Sequence, residues 1–145
     1  MSEECVLETE GAVRCWGKRA PGGEITDPRQ AQRIEGVRAP KAILIAGGRS
    51  CALEESGRLV CWGYRGAAFR APAPIPEMPP LASVSSFAGE VCGVAKDRTV
   101  HCLQRTLPTG FEETKEAGWG TVDQLAVGAL HACAIDLRRK ILCRG

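Results

Sequence analysis

Four times along the chain two cysteines stand ten residues apart, and these pairs use all eight cysteines of the 145 residues. Cys5 to Gly17 reads "CVLETEGAVRCWG", Cys51 to Gly63 "CALEESGRLVCWG", Cys92 to Gln104 "CGVAKDRTVHCLQ" and Cys133 to Gly145 "CAIDLRRKILCRG". The first cysteines recur after 46, 41 and 41 residues, a period that marks an array of one supersecondary unit, each too small to bury its apolar face alone. The expectation is a single repeat array over 1–145, with hairpins at 5–17, 51–63, 92–104 and 133–145 and links at 18–50, 64–91 and 105–132.

Alternation sets the local structure. Cys5, Leu7, Val13 and Cys15 share one parity while Val6 and Arg14 take the other, the period-two pattern of a half-buried strand pair. An odd loop, Thr9-Glu10-Gly11, then pairs Leu7 with Val13, Val6 with Arg14 and Cys5 with Cys15. Three-residue hairpin loops place a left-handed residue third, where glycine suffers no steric penalty. Gly57 holds that place in the second copy, but Arg98 and Arg139 hold it in the third and fourth. Those two turns are expected to be strained or differently built.

Directly opposed strand residues have Cβ atoms about 4.5–5.5 Å apart, within reach of a disulfide once local twist is added. Pairing within each copy, Cys5 with Cys15, Cys51 with Cys61, Cys92 with Cys102 and Cys133 with Cys143, is therefore the leading expectation. Closing a ring of this size contributes roughly 2–3 kcal/mol. Buried free thiols are one alternative. Zinc is another, although its cysteine ligands usually lie two to four residues apart, and no metal or other cofactor is expected here.

Nineteen basic and 17 acidic residues leave a net charge of +2, so bulk electrostatics give no case for nucleic acid or an anionic membrane. The longest apolar run, "KAILIAGG", is strand-sized and far short of a membrane span. Glu3, Glu4, Glu8, Glu10 and Arg14 interrupt the first fifteen residues, which leaves no room for the apolar core of a secretory signal. Paired cysteines nevertheless point to an oxidising setting, extracellular, periplasmic or at the cell surface. A leader removed before Met1, or a cut from a longer protein, reconciles the two.

The links are where contact surfaces are expected. In the first, Asp27 caps a short helix with Pro28 at its first position and Gly36 beyond its end, and a strand follows over Ile43 to Ile45. The second link, "YRGAAFRAPAPIPEMPP", carries Pro72, Pro74, Pro76, Pro79 and Pro80 and reads as a stiff extended loop poor in backbone donors. Tyr64, Arg65, Phe69 and Arg70 within it, and Trp119 in the third link, are of types enriched at interface hot spots. They form the expected partner-binding set, with inter-repeat packing as the alternative for Trp119. The charges of "FEETKEAGWG" are expected to form a solvated face.

Catalysis finds little support. His101 adjoins Cys102, and His131 precedes Cys133 by two residues, but strand neighbours point to opposite faces and a disulfide sulfur offers no thiolate. No nucleophile elbow, phosphate loop or carboxylate pair in a specific context is found. A non-enzymatic module is the expectation.

The stretches "GALHACAI" from Gly128 to Ile135 and "GRLVCWG" from Gly57 to Gly63 resemble the repeat of the regulator of chromosome condensation family, particularly bacterial members with paired cysteines. Trp16-Gly17 and Trp62-Gly63 match its Trp-Gly, while Leu103-Gln104 and Arg144-Gly145 depart from it. The resemblance spans all four copies. It implies an all-β, partial or small β-propeller built from four hairpin repeats, in a family whose rings hold about seven four-stranded blades. Relatives present loops from one face, some to small GTPases and chromatin and some to secreted enzymes that they inhibit. A protein partner is implied, its identity unread. Four hairpins fall short of a ring, so one end, Val6 and Val13 or Ile141 and Leu142, is expected to be covered by ring closure or by a second copy completing the propeller.

Overall fold

The computed structural model describes residues 3–17, 27–46, 48–65, 68–75, 77–87, 89–106, 110–115 and 119–145. Among the described residues, fourteen strands run β1 (Glu3–Leu7), β2 (Val13–Gly17), β3 (Gln32–Arg33), β4 (Pro40–Ala46), β5 (Arg49–Glu54), β6 (Leu59–Arg65), β7 (Ala68–Pro74), β8 (Leu81–Phe87), β9 (Glu90–Ala95), β10 (Val100–Thr106), β11 (Gly110–Lys115), β12 (Val122–Val127), β13 (Ala132–Asp136) and β14 (Ile141–Arg144). Among the described residues, no helix is long and apolar enough to cross a membrane.

The strands form four antiparallel sheets in chain order: β1-β2-β3, β4-β5-β6-β7, β8-β9-β10-β11 and β12-β13-β14. The cysteine hairpin is the middle pair of strands in the second and third sheets, and in the first and fourth it includes an edge strand, β1 or β14. Each link supplies the last strand of one sheet and the first of the next, so the extended second link is a pair of strands, β7 and β8, and not a loop. Pro72 and Pro74 are tolerated because β7 is an edge strand, where an N–H on the outer side is not needed for the ladder. Neighbouring sheets stack, and their first strands are tied together: Lys41 Nζ donates to the Ala82 carbonyl at 3.2 Å, Ser86 Oγ to the Ile45 carbonyl at 3.4 Å, and the Val127 N–H to Ser85 Oγ at 3.0 Å.

The hairpin register follows the alternation. Cys5 opposes Cys15, Val6 opposes Arg14 and Leu7 opposes Val13, and the same cysteine opposition recurs in the other three sheets. All four turns share one hydrogen-bond scheme, in which the N–H of Gly11, Gly57, Arg98 and Arg139 each donates to the carbonyl three residues back. Their φ angles are 81°, 88°, 72° and 65°. The two arginines therefore adopt the left-handed conformation in an unchanged turn, which costs an L-residue with a Cβ about 1–2 kcal/mol. Gly57 has a second constraint, because an added Cβ would meet the Leu81 carbonyl oxygen at 2.9 Å. That contact exists because the Leu81 N–H donates to the Gly57 carbonyl at 2.8 Å, joining the second sheet to the third.

The short helix capped by Asp27 is a single 3-10 turn, Pro28–Gln30, with the Asp27 side chain accepting from the Arg29 N–H. It stops well before Gly36 because Gln32 and Arg33 pair with Cys15 and Arg14 in the first sheet. The expected strand at Ile43 to Ile45 lies inside β4.

The core lies between sheets in three clusters. Val13, Cys15, Ile34, Ala52 and Trp62 join the first sheet to the second. Leu59, Cys61, Leu81, Val91 and Leu103, among others, join the second to the third. Val100, Cys102, Trp119, Val122 and Ala134 join the third to the fourth. Disulfide sulfurs are thus part of the packing between sheets.

Candidate protein-binding surface

Four disulfides close within the repeats: Cys5–Cys15, Cys51–Cys61, Cys92–Cys102 and Cys133–Cys143, with Cα atoms 4.0–4.1 Å apart. No cysteine is free. Glu3 with Cys5 and Cys15, and Glu90 with Cys92 and Cys102, bring three potential metal-ligand atoms within 4.8 Å of one another. In both groups the sulfurs are bonded to each other and present no thiolate, which removes the donor that zinc requires. The same bonding denies His101 and His131 a cysteine nucleophile. The His101 ring nitrogen instead lies 2.9 Å from Thr99 Oγ1.

The expected contact residues of the second link converge on one hairpin. Tyr64 pairs with Phe69, Arg65 with Ala68 and Gly63 with Arg70 across β6 and β7. Arg70 is exposed and Phe69 half-buried, packed against the cluster that contains Trp62. The side chains of Tyr64 and Arg65 lie outside the described residues, as do those of residues 111–118. Trp119 is 5% exposed, wedged between the third and fourth sheets with the Arg144 guanidinium 4.4 Å from its ring centroid. A side chain so covered is not the exposed rim anchor expected of it, so Trp119 takes the packing role that was its alternative and forms one wall of a cavity between these two sheets.

Two buried carboxylates went unread in the sequence. Glu3 is 3% exposed, and the Trp62 indole N–H donates to its Oε1 at 3.2 Å. Burial raises the Glu3 carboxyl above its ordinary value, opposed by hydrogen bonds from Trp62 and Ser50. Glu54 is also 3% exposed. It accepts from Arg58 at 2.8 and 3.1 Å and from the Arg38 N–H at 2.7 Å, and the Arg58 hydrogen bond holds its carboxyl below the ordinary value. Arg58 is four residues from Glu54, but Trp62 lies 59 residues from Glu3 and Arg38 lies 16 from Glu54, separations that no local pattern announces.

Leu130 just before the last hairpin, and Leu137, Ile141 and Leu142 within it, are exposed apolar residues. Val6 is exposed as well, whereas Val13 is covered by the second sheet.

No family model and no curated protein matches the chain. Solved structures do. Yeast RCC1 (Prp20) bound to Kap60 superposes with TM-score 0.70 at 17% identity, over 98% of this chain and 41% of that one. Human WBSCR16 gives 0.77 at 13% identity, over 99% and 45%. The CRINKLY ectodomain of the Arabidopsis thaliana receptor kinase ACR4 gives 0.59 at 18% identity, over 98% and 52%. The four sheets are therefore blades of a partial β-propeller of the RCC1 type, and the chain spans about half the length of these neighbours or less.

Proposed function

We propose that the chain is a non-enzymatic protein-binding module that presents its contacts from the rim of the propeller, at the outer hairpin of the second blade. The supporting observation is that Phe69 and Arg70 are brought opposite Tyr64 and Gly63 across β6 and β7, on the edge strand of that blade, with Arg70 exposed. Yeast Prp20, whose fold this chain shares in part, has binding properties toward Gsp1p and histones, and binding residues are found disproportionately on connecting segments held by a rigid scaffold. Four disulfides favour an oxidising compartment and a secreted or surface partner, including a secreted enzyme held inhibited. Arg70 is the cleaner probe, since Phe69 also packs. Arg70→Glu is expected to weaken capture of the partner from secreted and surface proteins at least about tenfold with an unchanged melting temperature. Undiminished capture would refute the rim assignment.

One observation favours a second reading. Ile141 and Leu142 are exposed on β14, at the place that β7 and β11 cover in the four-stranded blades. An uncovered apolar edge is a template for pairing, so a second copy completing the propeller is the self-association this edge supports. Light scattering on dilute protein is expected to give a dimer mass under this reading, and a monomer mass would rule it out.

A further inference from the structure

Repeat register exposes one position where the blades do not match. One residue after the second cysteine stand Trp16, Trp62, Leu103 and Arg144; two residues before the first stand Glu3, Arg49, Glu90 and His131. Between the first and second blades, Trp62 is 2% exposed against Val13, Cys15 and Ala52, and its indole N–H donates to Glu3. Between the second and third, Leu103 fills the corresponding place at 1% exposure. Between the third and fourth, the walls are the counterparts of the first junction: Val100 for Val13, Cys102 for Cys15, Ala134 for Ala52 and Glu90 for Glu3. Glu90 repeats the pose of Glu3, with Oε1 3.6 Å from Cys92 Sγ where Glu3 Oε1 is 3.6 Å from Cys5 Sγ.

The residue in the place of Trp62 is Arg144, and it does not fill the space. Its guanidinium lies over Trp119, and a cavity of about 270 Å³ is left, lined by Glu90, Val100, Cys102, Trp119, Leu125 and Ala132 with Arg144 at its side. That volume is just under the roughly 300–1,000 Å³ of drug-sized ligand pockets, so it suits a single ring system. Its chemistry is also specified. Apolar walls and an aromatic face suit a flat ring, the guanidinium adds a cation beside the ring face, and the carboxylate suits an N–H donor at the ring edge.

We propose that this cavity binds the indole of a tryptophan presented by a partner protein, with the indole N–H on Glu90, reproducing in trans the contact that Trp62 makes with Glu3. Only the source of the indole rests on the protein-binding reading; the cavity is separate from the β6–β7 rim. The test is titration of the full chain, disulfides intact, with the blocked peptide Ala-Trp-Ala, following the methyl NMR signals of Val100, Leu125 and Ala132. Saturable shifts are expected by ~5 mM peptide. A 1-methyltryptophan peptide, which lacks the donor, is expected to bind about threefold to tenfold more weakly. Arg144→Trp supplies the missing indole from within and is expected to abolish the shifts; Ala132→Leu, which narrows the cavity from the other blade, does the same should the first variant misfold. No shifts at these methyls, equal binding of the methylated peptide, or shifts that persist in both variants would overturn the proposal. Binding of free indole with exclusion of the peptide would overturn the partner assignment. Arg70→Glu is expected to leave peptide binding unchanged, so failure of the rim reading and failure of this one are distinguishable.

Discussion

Glu3 and Glu54 are equally buried and respond to acid in opposite directions. Glu54 has its carboxyl held below the ordinary 4.5 by Arg58. Its contribution to stability is present above 4.5 and is lost as pH falls through the lowered value. Glu3 has its carboxyl raised above 4.5 by burial, so the folded state holds its proton more tightly than the unfolded chain does. Stability from this group is fully present below 4.5 and declines as pH rises through the raised value. Glu3→Gln keeps an acceptor for the Trp62 indole and removes the ionisation. Its melting temperature relative to wild type is expected to be higher at pH 7 than at pH 3.5, by thermal unfolding at both. A difference independent of pH would show that Glu3 carries no such penalty. Glu3 was not legible beforehand, because a carboxylate two before a cysteine is an ordinary strand residue until Trp62 arrives from the next repeat; Glu54 was not, because the Arg38 N–H reaches it from the preceding link.

At the level of elements, the cysteine hairpins were readable in full and the links only in part. Alternation over Cys5 to Cys15 leaves one register in which both cysteines face the core, and the four turns repeat one scheme. The link strands β7 and β11 lacked such a signal, since their pairing partners are set by the blade and not by local period, and the prolines of β7 mask its strand character. The helix expected after Asp27 ended early for the same reason, with Gln32 and Arg33 drawn into the first blade. The turns offer a paired test with opposite signs. Arg139→Gly relieves a left-handed arginine at φ 65° and is expected to stabilise by about 0.5–1 kcal/mol. Gly57→Ala forces a Cβ toward Leu81 and is expected to destabilise by about 1–3 kcal/mol. Denaturant midpoints measure both, and effects of the same sign would contradict the shared turn geometry.

On the scale of the whole molecule, the chain is a row of blades whose contacts run almost entirely between neighbours, so each junction must be sealed on its own. Among the described residues the first and fourth blades have three strands, with β1 and β14 at their edges, and the two between have four. The junctions are sealed by different means, an indole on Glu3, then Leu103, then Trp119 with Arg144. What recurs is the disulfide, which in each copy pins the hairpin register from which the rest of the blade is built. Propeller architecture itself was readable only through resemblance, because hairpin period and spacing suit other repeat arrays equally well.

Non-reducing peptide mapping tests that framework most directly. Cleavage at Arg58, Arg98 and Arg139 by trypsin, and at Glu8 or Glu10 by a glutamate-specific protease, separates the two cysteines of every copy. Each pair of peptides then stays joined only through its disulfide. The account predicts Cys5 with Cys15, Cys51 with Cys61, Cys92 with Cys102 and Cys133 with Cys143, and no alkylated thiol. A link between repeats, or free thiols in any copy of the folded protein, would contradict the hairpin register and the blades built on it.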